Sequence, residues 1–176
     1  MSLEELRNDI IISQKKGLPF IITAVIIWLM ISIVASLNIN IMTKNILVFV
    51  CSCLLVPTAW LVGKKLKIDI FSKDNPLTNL GMLFTMNQML YILIVMWVFN
   101  AIPEKMIMVY AMVFGAHMLP YSWLYKSHVY RNFAVIIPVI ALILGNIFNG
   151  FIVALTLTVI EIIFVVTLIK EMKRIK

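Results

Sequence analysis

The stretch Phe151-Ile-Val-Ala-Leu-Thr-Leu-Thr158-Val-Ile-Glu161-Ile-Ile-Phe164-Val-Val-Thr-Leu-Ile169 holds one charge, Glu161. A membrane-spanning helix needs about 20 mostly apolar residues. Hydrocarbon offers backbone N–H and C=O groups no water, so they must bond within the segment, and a run of this length is a helix. Further runs of the same kind lie at 131–148, 105–125, 77–100, 45–63 and 18–37, each bounded by charges, Asn, Pro or Gly. The alternation expected of a transmembrane β-barrel is absent. The 176 residues are 62% apolar and 13% charged, with a mean hydropathy of +1.04. Soluble domains are about 45–50% apolar and about 25% charged, and so few charges cannot cover a soluble fold of this size. A soluble globular domain, a disordered chain and an ordinary nucleic-acid binder are thereby excluded. The expected fold is all-α: one membrane domain over 1–176, an integral six-helix bundle of three hairpins. The turn from Gly145 to Gly150 carries no charge, so the fifth and sixth helices must pack closely.

Orientation follows from lysine and arginine. Arg7, Lys15, Lys16, Lys64, Lys65, Lys67, Lys73, Lys126, Arg131, Lys170, Lys173, Arg174 and Lys176 fall on one side, and only Lys44 and Lys105 on the other. An asymmetry of 13 to 2 places both termini in the cytoplasm, with the plasma membrane as location. The net charge of +7 then reads as a topology signal with affinity for anionic lipid headgroups, not as a nucleic-acid patch.

Residues 2–16 read as an amphipathic interfacial helix within 1–17. Ser2 and Glu5 have capping-box spacing, and Leu3, Leu6 and Ile10 share a face. Gly17 and Pro19 end it. Asp74-Asn75-Pro76 reads as the cap of the third span. Pro57-Thr-Ala-Trp60-Leu61 and Pro120-Tyr-Ser-Trp123-Leu124 recur 63 residues apart and align Trp28 with Tyr91, which suggests two hairpins related in parallel. Trp60, Trp123, Tyr121 and Tyr125 read as an interfacial aromatic belt.

Phe114-Gly-Ala-His117-Met-Leu-Pro120-Tyr-Ser-Trp-Leu-Tyr125 resembles a signature of an uncharacterised bacterial multi-pass membrane family. Gln14-Lys-Lys-Gly17-Leu-Pro-Phe20 and Lys73-Asp-Asn-Pro-Leu77 are similar to that family too. The resemblance implies a small bacterial membrane protein and carries no assigned activity.

Ionisable residues inside spans are costly and default to functional candidates. Glu161 and His117 are both about 12 Å from the cation-rich surface, and Asn87 and Gln88 about 15 Å, at 1.5 Å per residue. Tyr121 and Thr158 lie one turn from His117 and Glu161. Lipid cannot satisfy these groups, so they are expected to face inward and meet. One reading is a substrate or proton pocket in which Glu161 takes and releases a proton. The other is an interhelical lock of hydrogen bonds, each worth about 0.6–2 kcal/mol. Pro57, Pro120 and Pro138 each free a carbonyl four residues earlier, which either serves a ligand or only shapes the helix.

Met82, Met86, Met89 and Met96 share a face and invite a Cu(I) reading, against which stands methionine's ordinary use in packing. Cys51 and Cys53 point too far apart on a helix to chelate or to form a disulfide. Ala111 with Gly115, and Ser32 with Ser36, are small-xxx-small pairs, within one protomer or in a homo-oligomer. No phosphate-binding glycine loop, zinc motif or nucleophile elbow occurs, and no cofactor or metal is implied. The leading functional expectation is a small transporter or permease-like protein for a small molecule or ion. The alternatives are a non-catalytic membrane partner, sensor or stress-protection protein, and, third, an intramembrane enzyme using His117.

Overall fold

The computed structural model describes residues 1–72 and 74–174. Lys73 and Lys176, two of the thirteen cations used for orientation, lie outside the described residues. Nine α-helices occur among those described: α1 (Leu3–Ser13), α2 (Leu18–Ser36), α3 (Ile41–Cys53), α4 (Leu55–Leu66), α5 (Leu77–Ala101), α6 (Met106–Ala116), α7 (Leu119–Leu124), α8 (His128–Ile147) and α9 (Gly150–Lys173). Taken as α2, α3–α4, α5, α6–α7, α8 and α9, they give six helical segments long and apolar enough to cross a membrane. No strand is present among the described residues.

The two divided segments break for one reason. Proline has no N–H to donate to the carbonyl four residues back. Before Pro57 the chain turns at Leu54, whose N–H reaches the Cys51 carbonyl at 3.2 Å. Before Pro120 it turns at His117 and Met118, with the Met118 N–H on the Gly115 carbonyl at 3.1 Å. Leu54 and His117 are again 63 residues apart. The aligned aromatics differ, however: Trp28 is 1% exposed and Tyr91 37%. Pro138 leaves α8 continuous.

Helix ends differ from the apolar runs where polar caps extend them. The Asn40 side chain accepts from the Met42 N–H at 2.9 Å, so α3 starts at Ile41 rather than at 45. Ser127 accepts from the Tyr130 N–H at 3.2 Å and starts α8 at His128. Helix α9 runs on to Lys173 and so brings Glu171 into its last turn.

The core lies between α2, α6, α8 and α9. Trp28 of α2 meets Tyr110 and Phe114 of α6 at ring-centroid distances of 5.6 and 5.5 Å. Val153, Ala154, Leu157, Phe164 and Leu168 form the buried stripe of α9 at helical spacing. Helix α5 is peripheral, and Met86, Met89 and Met96 face outward at 61, 64 and 51% exposure. That orientation takes three of the four methionines out of any shared inward cluster with Cys51, which is buried.

Glycines set the closest approach. A Cβ on Gly115 would stand 2.6 Å from both Ile137 Cγ2 and Pro138 Cδ of α8. The Ala111–Gly115 pair thus serves packing inside the protomer. Overpacking costs about 1–3 kcal/mol. Gly115→Val should lower the melting temperature in detergent accordingly, and Ile137→Ala in the same chain should recover part of the loss. An unchanged melt for Gly115→Val would contradict this packing.

Candidate functional site

Helix α1 closes one end of the bundle. Its capping box forms, with the Ser2 N–H on Glu5 Oε2 at 2.7 Å and the Glu5 N–H on Ser2 Oγ at 3.3 Å. Ile10 and Ile11 are buried, whereas Leu3 stays 50% exposed, so the buried face is rotated from the expected one. Asn75 ties α1 to the start of α5. Its Nδ2 donates to the Leu6 carbonyl and to Asp9 Oδ2, both at 2.8 Å, and its Oδ1 accepts from the Leu77 N–H at 2.9 Å. Lys126 bonds Glu4 and Asn8, and its ammonium holds the Glu4 carboxyl below the usual carboxylate range. Arg7 bonds the Trp123 carbonyl and lies over the Trp123 ring.

Between α1 and α2 the backbone takes three successive left-handed residues, Lys15 (φ 45°), Lys16 (φ 53°) and Gly17 (φ 69°). Such conformations cost non-glycine residues roughly 1–2 kcal/mol each. The turn is held from several sides. Lys16 Nζ, with its side chain 1% exposed, meets Glu171 Oε2 at 2.8 Å. Glu171 also accepts from Ser127 Oγ at 2.6 Å and from the His128 N–H at 3.1 Å, at the N-terminus of α8. The Tyr130 hydroxyl donates to the Lys16 carbonyl at 2.8 Å. A Cβ on Gly17 would come within 3.1 Å of the Tyr125 hydroxyl and 3.2 Å of that of Tyr130, so glycine fits here for space as well as for φ.

Above this turn lies a pocket of about 80 Å³, room for several waters, since one needs roughly 10–15 Å³. It runs from Gln14, Thr78 and Tyr125 at the end beside this turn to Thr85, Gln88 and His117 deeper in, about 15 Å along α5 from Thr78 to Gln88. Most of its lining is apolar, and no Lys, Arg, Asp or Glu among the described residues lines it. The Tyr121 hydroxyl donates to the Gly81 carbonyl at 2.9 Å and stands 2.7 Å from Thr85 Oγ1. His117 Nδ1 bonds the Phe114 carbonyl. With the proton on Nδ1, Nε2 remains an acceptor. The Gln88 side chain, 6% exposed, makes no hydrogen bond among the described residues.

The expected polar layer is thus divided. His117, Gln88 and Tyr121 share the pocket, while Glu161, Thr158 and Asn87 do not line it. Thr158 donates to the Ala154 carbonyl of its own helix at 3.0 Å, and Asn87 to Tyr91 at 2.9 Å. Glu161 is fully buried, and neither carboxyl oxygen has a partner among the described residues. Hydrogen bonds that would lock these helices together through Glu161, His117 and Gln88 are not formed among the described residues. Tyr121 and Tyr125 turn inward instead of joining the belt: Tyr125 packs on Tyr130 at 5.5 Å, whereas Trp60 and Trp123 stay exposed. Gln14, Lys16, Tyr130 and Glu171 are not among the site residues expected from the sequence, where Lys16 counts toward orientation, because they sit at segment ends, where polar residues are ordinary.

Residues 3–171 match the model of a family of unknown function (DUF7010), and the chain belongs to that family. No curated protein and no solved structure matches it.

A buried polar group without a partner costs about 1–3 kcal/mol on mutational scales. Glu161→Met, close in volume and apolar, should therefore hold or raise the melting temperature in detergent. A fall of several degrees would show that Glu161 supports the bundle through a contact.

Proposed function

We propose that the protein is a small permease-like membrane protein. Its pocket takes a small, mainly apolar, uncharged molecule with one or two hydrogen-bonding groups. The observation that carries this reading is the unbonded Gln88 amide together with His117 Nε2, in a cavity that no charged group among the described residues lines. Concave, mostly apolar sites with a few placed polar groups are the usual form of a small-molecule site. In this reading both termini are cytoplasmic, the membrane is the plasma membrane, and the pocket opens toward the cation-rich end. Glu161 stands apart as the group that exchanges a proton during transport. A purely structural role is disfavoured for Glu161, Gln88 and His117, none of which bonds another helix among the described residues, whereas Tyr121 does bond α5.

The test is a thermal-shift screen of uncharged amphiphiles on the detergent-purified protein, followed by flux of each hit into proteoliposomes. Gln88→Leu and His117→Phe should each weaken binding of a hit about tenfold, which is about 1.4 kcal/mol and the size of one hydrogen bond. Their melts without ligand should stay close to wild type. Binding that is equally strong in both variants, or hits that bind without protein-dependent flux, would contradict the proposal.

A further inference from the structure

The end of the bundle opposite α1 carries a second cavity, of about 260 Å³. Helices α2 and α8 end there, and α3 and α9 begin there. A 19-residue helix such as α2 is about 28 Å long, close to the roughly 30 Å of a bilayer's hydrocarbon core. Its far end therefore lies at headgroup level. Lys44 and Lys105, the two cations outside the cation-rich set, both line this cavity. Each donates to a carbonyl near a helix C-terminus, Lys44 to Ala35 at 3.0 Å and Lys105 to Gly145 at 2.7 Å. An ammonium has three donors, so each retains two.

Asn45 adds an unpartnered acceptor. It lines the same cavity and is fully buried. Its Nδ2 donates to the Pro103 carbonyl at 2.9 Å, which fixes the orientation of the amide. Its Oδ1 is buried with no partner among the described residues. A buried acceptor in that position calls for an O–H or N–H donor. Ile41, Ile107 and Phe151 give the cavity apolar walls. Among the described residues one carboxylate, Glu104, lines it, against two lysines.

We infer that this cavity binds the phosphate of a glycerol ester, with Lys44 and Lys105 on the phosphate and Asn45 Oδ1 accepting from a glycerol hydroxyl. The positive ends of α3 and α9 stand beside the negative ends of α2 and α8, so the two ammonium groups, not the helix dipoles, carry the attraction for the anion. The same chemistry is offered by a phosphatidylglycerol headgroup and by free glycerol phosphate. Nothing in this inference depends on the pocket at the other end.

Two probes separate the sources. Calorimetric titration of the detergent-purified protein with glycerol phosphate reports a free solute. Native mass spectrometry after release from nanodiscs of mixed phosphatidylcholine and phosphatidylglycerol reports a retained lipid. The expected result is binding of glycerol phosphate or preferential retention of phosphatidylglycerol, weakened at least tenfold in Lys44→Gln/Lys105→Gln and also weakened in each single variant. Wild-type protein that binds no glycerol phosphate and retains no excess of phosphatidylglycerol overturns the inference without reference to any variant. So does binding that survives unchanged in a folded double variant.

Discussion

Glu171 gathers one end of the bundle onto a single carboxylate. Lys16 reaches it from the turn before α2, Ser127 and the first N–H of α8 reach it from the side, and it belongs to α9. A buried ion pair is not in itself a source of stability, because desolvation offsets much of the attraction. Here the extra donors satisfy the remaining lone pairs, the condition under which such a pair can hold. The pair also constrains the backbone. Three left-handed residues in a row persist only where their surroundings enforce them, and Lys16 is bonded at both its ammonium and its carbonyl.

The pocket depends on this turn. Gln14 and Gly17, on either side of Lys15 and Lys16, line its mouth together with Tyr125 and Tyr130. The Tyr125 hydroxyl reaches Gln14 Oε1 at 3.3 Å, and Gln14 Nε2 reaches Thr78 Oγ1 at 3.2 Å. These bonds tie α1, α5 and the α7–α8 link around the cavity mouth. Deeper in, the break at Pro120 leaves His117 at the end of α6 rather than inside a continuous helix, one turn from Tyr121. Asn87 and Thr158 bond within their own helices instead. Glu161 lines no part of the cavity, and its lack of a partner among the described residues sets it apart.

Much of the architecture was legible because hydrocarbon admits so few solutions. The six runs, the capping box at Ser2, the Asn75 cap and the tight turn between the last two helices all follow from local rules, and all are present. The helix starts at Ile41 and His128 were missed because Asn40 and Ser127 extend helices through polar residues that an apolar run excludes. Within the candidate site, depth was legible but azimuth was not. Counting residues places His117, Gln88 and Glu161 in one layer; which side of its helix each presents to the others depends on packing. Glycines such as Gly115 and Gly145 set that packing through contacts with Ile137 and Met108 that no spacing reveals. The Lys16–Glu171 pair spans 155 residues of sequence, and each partner alone reads as an ordinary interfacial charge.

The most direct measurement of the central claim is a double-mutant cycle on unfolding in detergent, with Lys16→Met, Glu171→Gln and the double variant. Lys16 is buried and Glu171 partly exposed, so removing Glu171 leaves a buried ammonium uncompensated, and residues in one network couple by about 0.5–3 kcal/mol. The account predicts that the double variant is destabilised by at least about 1 kcal/mol less than the sum of the single variants. Strictly additive losses, with no coupling between Lys16 and Glu171, would contradict it.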